Sequence, residues 1–368
     1  MTITSAINPL FTYTESLQSS EVDQTLLRYA LQAEARAILP HEQVAKCHWV
    51  PYSATVEVLF DPEHQKPHYG GVCTCHSVWH CTVCSAKISE RRREDTTWAI
   101  ERMNELDYRV YMVTCTIKHG RYDSLEQLLT GFLDAHRGLS GNTAGRRIKR
   151  DFGIIGTIRA LETTWGQGTS WHPHAHQLVF VGNQEVDEDE LEERLWKAWQ
   201  TEAKRVGLTV HRKGFDFNRT RGAAGDYVAK WGREPIRTPW GVEHEVTKAH
   251  IKQSRQSDRY TPFGMLRAIH EGGHDELIPR FREYAMYFKG KSQVRWSKGL
   301  AAMMGLKDLT DEEIASESRV EAILLGRITR EQWKYVLAND TRADLLLIAK
   351  QGDWSLVVDF LREIGAAE

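Results

Sequence analysis

The sequence predicts an α+β fold, with a central sheet flanked by helices and a helical C-terminal region. Alternating or β-branched segments at 109–117, 153–164 and 172–181 indicate strands. Between and after them lie charged amphipathic segments such as 187–206, which indicate helices. Beyond residue 260 the pattern is that of a set of helices. The predicted strands, separated by helices, lie in the central part of the chain. This order favours a sheet domain with an appended helical tail.

The glycine-rich segment 165–171 joins the second and third predicted strands. Such a connection is typical of a hairpin, so we expect these two strands to be antiparallel neighbours. By pattern the chain divides into four parts. They are a segment of unclear role at 1–65, a cysteine-rich segment with a basic helix at 66–104, a sheet domain with an extension at 105–300, and a helical region at 301–368.

The composition is that of an ordinary globular protein, with 41% hydrophobic and 27% charged residues. No apolar run approaches the roughly 20 residues that span a bilayer. The N-terminal residues lack the basic and apolar regions of a secretion signal, so we expect a cytoplasmic protein. The phosphate-binding pattern GxxxxGK[ST] does not occur, which argues against an ATP-driven motor.

Basic residues are clustered although the formal net charge is only −2. Local basic patches suit a nucleic-acid backbone, and a solvated helix face is the alternative interpretation. One cluster lies in the predicted helix after the cysteines and another lies near residue 148. The predicted DNA contacts are Arg91, Arg92, Arg93, Arg146 and Arg147.

Four of the six cysteines lie within twelve residues of one another. In a cytoplasmic chain, thiols at this density favour a structural, tetrahedral Zn²⁺ site over disulfides. The predicted ligands are Cys73, Cys75, Cys81 and Cys84. The spacing between the first two is tighter than in a usual zinc knuckle, so the fourth position stays open. Its alternatives are Cys73, His76, His80 and the distant Cys47.

Three alternating histidines lie in the predicted strand WHPHAHQLVF, residues 171–180. Alternate residues of a strand share one face, so His174 and His176 can bind the same divalent cation. Glu162, at the end of the preceding strand, is the first choice of third ligand, and His172 is the second. Imidazoles with a carboxylate favour Mn²⁺ or Mg²⁺, and Mn²⁺ suits the imidazoles better. The alternative is a set of surface histidines at a strand end.

The His-Ala-His sequence resembles the His-hydrophobic-His motif of the HUH endonucleases. This superfamily contains rolling-circle replication initiators, relaxases and some transposases. Segment 112–117 resembles the strand that opens its nuclease domain, and segment 226–231 resembles its tyrosine motif, Tyr-x-x-Lys. In this order, over about residues 70 to 300, the motifs most resemble plasmid and phage Rep initiators. The cysteines at 75, 81 and 84 also resemble those of similar Rep proteins.

The resemblance implies that Tyr227 is the nucleophile of a DNA-nicking and joining enzyme. Lys230, one helical turn later, would lower the tyrosine pKa from about 10 or steady the phosphate. The implied product is a 5′-phosphotyrosine link with a free 3′-hydroxyl. Implied partners are single-stranded or locally melted origin DNA, a host helicase and a host polymerase, and the chain can form a homo-oligomer.

Some family members carry a second tyrosine four residues after the first, where this chain has Trp231. The resemblance therefore implies one covalent tyrosine per subunit, and a second transfer would need water, Glu234 or a second subunit. Two alternatives remain for the function. One is a mobilisation relaxase or transposase with the same chemistry, and the other is a non-enzymatic, zinc-containing DNA-binding protein.

Overall fold

The structure, a computed structural model, describes residues 19–182, 185–218, 259–316 and 322–366. The chain forms two compact units. The first unit comprises Met1–Ser85 with Asp311–Glu368, and the second comprises Ala86–Thr310. Helices and antiparallel sheets are mixed in the way that an α+β fold requires, so the predicted fold class is confirmed. The four-part division by sequence pattern stays a prediction.

The bounds of the elements are as follows. The strands are β1 (Thr55–Asp61), β2 (Lys66–Gly70), β3 (Arg109–Thr116), β4 (Ile154–Gly166), β5 (Ser170–Val181), β6 (Phe215–Asn218), β7 (Arg259–Tyr260), β8 (Val294–Trp296) and β9 (Ile323–Thr329). The helices are α1 (Ser19–Ile38), α2 (Thr82–Glu105), α3 (Leu125–Gly141), α4 (Thr143–Asp151), α5 (Glu188–Arg205), α6 (Pro262–Glu271), α7 (Ile278–Phe288), α8 (Leu300–Met303), α9 (Asp311–Ser316), α10 (Arg330–Ala338), α11 (Arg342–Ala349) and α12 (Trp354–Glu363). None of these helices is both long and apolar enough to cross a membrane.

The first unit is built on a three-stranded antiparallel sheet in the order β2-β1-β9. Val56 and Val58 of β1 are fully buried, and Val56 pairs with the buried Ile328 of β9. Trp333 of α10 packs into the same core and donates its indole N–H to the carbonyl of Trp49. The sequence pattern does not predict these strands, and the helical C-terminal region contains one of them.

The sheet of the second unit has the strand order β6-β3-β5-β4-β7, and β8 also pairs with β4. Every pair in it is antiparallel. β4 and β5 form the predicted hairpin, which closes through the pairs Trp165↔Trp171 and Gly166↔Ser170. A 3-10 turn at Arg212–Gly214 precedes the short strand β6.

Two layers of helices cover the two faces of this sheet. On one face, Ile100 and Met103 of α2 pack against Leu178 and Phe180 of β5. On the other face, α3 contacts β5 and α5, while α4 contacts β4. The apolar face of α3 follows the helical period of three to four residues, and the hydroxyl of Ser124 caps its first turn by accepting from the Gln127 N–H. Both faces are thus buried in part, which fixes the register of the strands.

Candidate functional site

Glu162, His174 and His176 form a group of possible metal ligands on one face of the second unit's sheet. Glu162 pairs directly with His174 across β4 and β5, and His176 lies two residues further along the same face. The distance from His174 Nε2 to Glu162 Oε2 is 3.3 Å, and that from His176 Nε2 to Glu162 Oε1 is 3.5 Å. The structure therefore brings together the three residues that were the first choice from sequence.

Hydrogen bonds on the far side of each ring orient the two imidazoles. The Nδ1 of His174 donates to the carbonyl of His172 at 3.0 Å, and the Nδ1 of His176 is hydrogen-bonded to the Thr114 hydroxyl at 3.0 Å. When Nδ1 carries the proton, Nε2 keeps a lone pair for a cation. Both Nε2 atoms face the Glu162 carboxylate, so the group can hold a metal ion.

Burial and charge act in opposite directions on these histidines. Burial lowers the pKa of His174, but its hydrogen bond and attraction to Glu162 outweigh burial and raise that pKa overall. At His176 burial dominates over Glu162, and the pKa is lowered. The His174 side chain is 13% exposed, His176 is 14% exposed and Glu162 is 32% exposed. A ligand can thus approach through the carboxylate side.

His172, the alternative third ligand, lies beside the group but is not part of it. Its ring centroid is 5.1 Å from that of His174 and 4.7 Å from that of His119. Burial, followed by the charge of His174, lowers the pKa of His172 to about 3, so this ring stays neutral. His119 in turn is hydrogen-bonded through Nδ1 to the Thr169 carbonyl. These neighbours form one wall of the site.

Asp216 is a site residue that the sequence patterns do not identify. It pairs with Thr114 across β3 and β6, and its charge favours the protonated form of His176. The strand β6 is only four residues long, so its alternation is too brief to mark Asp216 as facing the histidines.

Tyr227 and Lys230, together with Trp231 and Glu234, lie outside the described residues. The segment that contains them follows β6 and precedes β7. β6 pairs with β3 beside the histidine group, and β7 pairs with β4 through Gly166↔Arg259. Both described ends of that segment are therefore anchored in the sheet that carries the possible metal ligands.

A second group of possible metal ligands lies in the first unit and consists of Cys47, Cys75, Cys81 and Cys84. Their Sγ distances are 3.5 Å for Cys47–Cys84, 3.6 Å for Cys75–Cys84 and 3.7 Å for Cys47–Cys81. Sulfur atoms around a tetrahedral ion with bonds of about 2.3 Å lie about 3.8 Å apart, whereas disulfide sulfurs are bonded at about 2.05 Å. The spacing therefore fits a metal ion and not two disulfides.

The predicted ligand Cys73 lies outside this group, and Cys47 takes the fourth position. The backbone of Cys73 makes two hydrogen bonds instead. Its carbonyl accepts from the His48 N–H and its N–H donates to the Val50 carbonyl, both at 2.8 Å. These bonds hold the Cys47 turn against the segment that carries Cys75. His76 and His80 are also outside the group.

The thiols of this group polarise one another. Burial raises the pKa of Cys81, but hydrogen bonds with Cys47, Cys75 and Cys84 lower it well below its usual value. Hydrogen bonds to the neighbouring thiols together with burial raise the pKa of Cys47. Gln32 donates to the Cys81 sulfur at 3.2 Å, as expected for a sulfur that carries negative charge.

The predicted DNA contacts occupy two different environments. Arg92 is buried and donates to the Leu309 carbonyl, while Arg91 pairs with Asp95 at 2.9 Å. Arg93 is partly exposed. In contrast, Arg146 and Arg147 lie on the exposed surface of α4, where a DNA backbone has access to them.

Residues 65–206 match the family model Rep_1, described as replication protein. A protein named Protein rep from Streptomyces lividans is 28% identical over 302 residues, which cover 64% of this chain and 64% of that protein. A neomycin resistance protein from Streptomyces cyanogenus is 32% identical over 136 residues, covering 30% and 31% of the two chains. No solved structure matches.

The alignment thus spans less than two thirds of the Streptomyces lividans protein. The matched segment contains Glu162, His174 and His176. It also contains Cys75, Cys81 and Cys84 of the second group of possible metal ligands, but not Cys47. The resemblance to Rep-type replication proteins is therefore confirmed: residues 65–206 match the Rep_1 model, and the longer alignment is with a protein named Protein rep.

Proposed function

We propose that this chain initiates rolling-circle replication by nicking one strand of origin DNA. The observation that carries the proposal is the Glu162–His174–His176 group on strands β4 and β5, which lie in the segment that matches a replication-protein family. A carboxylate and two oriented imidazoles on one strand pair are suited to a divalent cation, Mn²⁺ or Mg²⁺. When bound there, the cation would neutralise charge on the scissile phosphate.

Tyr227 is the proposed nucleophile. It is the ninth residue after Asn218, the end of β6, and an extended chain of nine residues reaches about 30 Å. The phenol oxygen can therefore reach the histidine group. Its attack forms a bond from the tyrosine oxygen to phosphorus and breaks the bond from phosphorus to the 3′ oxygen. The phenol proton passes to water, and the leaving 3′ oxygen takes up a proton to become a hydroxyl.

Lys230 lies three residues after the nucleophile. A cationic side chain at that spacing on a helix favours the tyrosinate over the neutral phenol, which has a pKa of about 10. Thr114 and the carbonyl of His172 hold the imidazole rings during the reaction. The 5′-phosphotyrosine link keeps the bond energy for later rejoining, while the free 3′-hydroxyl serves as a primer for a host polymerase.

The substrate and the partners follow from this chemistry. The tyrosine must reach an unpaired backbone, so we infer single-stranded or locally melted origin DNA as the substrate. The exposed Arg146 and Arg147 are placed to contact its phosphates. A host helicase would extend the melted region in the prokaryotic cytoplasm. With Trp231 in place of a second tyrosine, the second transfer requires water, Glu234 or a second subunit in a homo-oligomer.

The cysteine group has a different proposed role. Four thiols at tetrahedral spacing, three of them buried, suit a structural Zn²⁺ ion. Such an ion would tie the Cys47 turn to the first turn of α2, where Cys84 donates its backbone N–H to the Cys81 sulfur at 3.5 Å. Its contribution is to stability and not to the reaction.

The test is cleavage of single-stranded oligonucleotides from the replicon that encodes the protein, with Mn²⁺ or Mg²⁺. Wild type should form a covalent protein–DNA adduct that is abolished by chelator and by Tyr227→Phe. The matched control is Tyr122→Phe, because Tyr122 is 93% exposed and distant in sequence from the motif. The control should keep wild-type adduct yield.

Three other outcomes would change the proposal. An adduct that survives Tyr227→Phe would place the nucleophile elsewhere. Cleavage at a transfer origin or transposon end, with none at a replication origin, would indicate a relaxase or transposase. Sequence-specific binding with no cleavage in either metal would indicate a non-enzymatic DNA-binding protein.

A further inference from the structure

A cavity of about 530 Å³ opens on the second unit, lined by parts of the sheet together with α3, α4 and the segment before β8. Six cationic side chains line it, and none of the described lining residues is acidic. They are Arg137, Lys149, Arg159, Lys291, Arg295 and Lys298. A concave surface lined by one sign of charge attracts ligands of the opposite sign.

This cavity lies on the sheet face opposite the histidine group. Arg159 pairs with Gln177, and both line the cavity, whereas Glu162 pairs with His174. Arg159 and Glu162 are three residues apart on β4, so their side chains point to opposite faces. A ligand in the cavity is therefore separate from the phosphate that the histidine group would bind.

Arg159 has unused hydrogen-bonding capacity inside the fold. Its side chain is only 8% exposed, and Nη2 donates to the Ser292 carbonyl at 2.9 Å. Its Nη1 is buried and has no hydrogen-bond partner among the described residues. Burial, and then the charge of Arg295, lowers the pKa of Arg159 to about 10, so the guanidinium remains charged at neutral pH. Burying a charged donor without an acceptor costs free energy, and an anion that accepts from Nη1 would offset this cost.

A second lining residue shows the same pattern. His136 is 8% exposed, and its Nε2 has no hydrogen-bond partner among the described residues. Burial, and then the charge of Arg159, lowers the pKa of His136 to about 3. The neutral ring can therefore offer a donor to an anion without requiring a proton from solvent.

The strand register adds an independent argument. Arg159 of β4 lies directly opposite Arg295 of β8. Like charges directly opposite each other in an antiparallel pair are destabilising. An anion between the two guanidinium groups would turn this repulsion into two attractive contacts, which arginine makes well with phosphate.

We propose that this basic cavity binds a phosphate-bearing ligand of nucleotide size, either a free nucleotide or one nucleotide of a DNA strand. Its volume lies in the range of sites for small organic ligands. Apolar lining from Val179, Ile148 and Trp296 can contact a base or sugar, while the cations take the phosphate. The proposal does not depend on the nicking reaction, since the cavity is on the other face of the sheet.

The experiment measures binding of a fluorescent dATP analogue to the full chain in phosphate-free buffer. Unlabelled dATP, adenosine and an oligothymidine of about twelve nucleotides compete with it. Arg295→Gln and Lys149→Gln alter exposed cavity residues, and Arg159→Gln alters the buried one. Arg150→Gln is the matched control, because it removes the same charge from the residue next to Lys149 but does not line the cavity.

Each cavity variant that stays folded by circular dichroism should weaken dATP binding by about 10-fold, as expected for a lost charge-assisted bond. Arg150→Gln should change it less than about 2-fold, since this exposed charge lies outside the cavity and is screened by solvent. Competition by oligothymidine would identify a DNA strand as the ligand, and its absence a free nucleotide. Adenosine should not compete. Absence of binding, competition by adenosine equal to that by dATP, or equal loss in Arg150→Gln and Arg295→Gln, would overturn the proposal.

Discussion

The two groups of possible metal ligands differ in how they are built and how open they are. The histidine group comes from neighbouring strands of one hairpin, and its side chains are 13%, 14% and 32% exposed. The cysteine group comes from a turn, a loop and the start of a helix, and Cys47, Cys81 and Cys84 are 0%, 0% and 4% exposed. Closed thiol sites are typically structural, whereas catalytic sites keep a position for substrate. Exposure therefore supports the stabilising role proposed for the cysteine group and the chemical role proposed for the histidine group.

Replacement of Cys47 tests the cysteine group and should have the largest effect. Structural zinc contributes about 10–16 kcal/mol of apparent binding free energy in zinc-finger peptides, so Cys47→Ser should abolish zinc binding and unfold the first unit. Zinc content by atomic spectroscopy and thermal unfolding would measure this. Cys73→Ser is the matched control, because Cys73 lies outside the group. Zinc loss in Cys73→Ser with retention in Cys47→Ser would reverse the assignment.

Replacement of His174 tests the histidine group and should lower the nicking activity without affecting folding. With an incomplete ligand set, nicking by His174→Ala should fall at least about 100-fold, as for loss of other groups that stabilise developing charge. The thermal midpoint should stay near that of wild type, because the side chain is partly exposed. His172→Ala, adjacent but outside the group, should retain Mn²⁺ binding. An equal loss of Mn²⁺ binding in both variants would make His172 the third ligand.

His136 belongs to neither group and gives a smaller, pH-dependent effect. Its folded-state pKa of about 3 is below the unfolded value of about 6.5, so the unfolded chain binds more protons between these values. Its contribution to stability is complete above pH 6.5 and is lost as pH falls. Between pH 7 and pH 5 the loss should be about 2 kcal/mol, at 1.36 kcal/mol per pKa unit.

Urea unfolding at the two pH values measures this loss. His136→Gln should reduce the pH dependence, whereas His211→Gln, which replaces an exposed histidine, should keep it. A pH dependence that is unchanged in His136→Gln would show that protonation of other groups, such as the thiolates of the cysteine group, causes the loss of stability.

The sequence predicted the histidine group well because every step in it is local. The period of two in β5 places His174 and His176 on one face, and the seven-residue connection forces the hairpin that brings Glu162 opposite. A one-residue change of register would move the whole set to the other face, so the buried apolar residues after the histidines also fix the site.

The cysteine group was predicted only in part for the opposite reason. Cys75, Cys81 and Cys84 are close in sequence, but Cys47 is 28 residues before Cys75. The bridge Pro51↔Val72 and the backbone bonds of Cys73 hold that turn against the segment that leads to Cys75. Such a contact cannot be predicted from local periodicity, since the free energy of closing a loop depends little on which residues lie within it.

By itself the sequence determined the α+β class, the hairpin, the histidine–glutamate group and the presence of a thiol site, because these rest on periodicity and close spacing. Only the tertiary structure decided the choice of Cys47 over Cys73, the sheet of β1, β2 and β9, and the pairing of Arg159 with Arg295. Each of these joins segments that are far apart in the chain. Their partners are selected by the packing of the whole unit, and packing leaves no pattern in a short window of sequence.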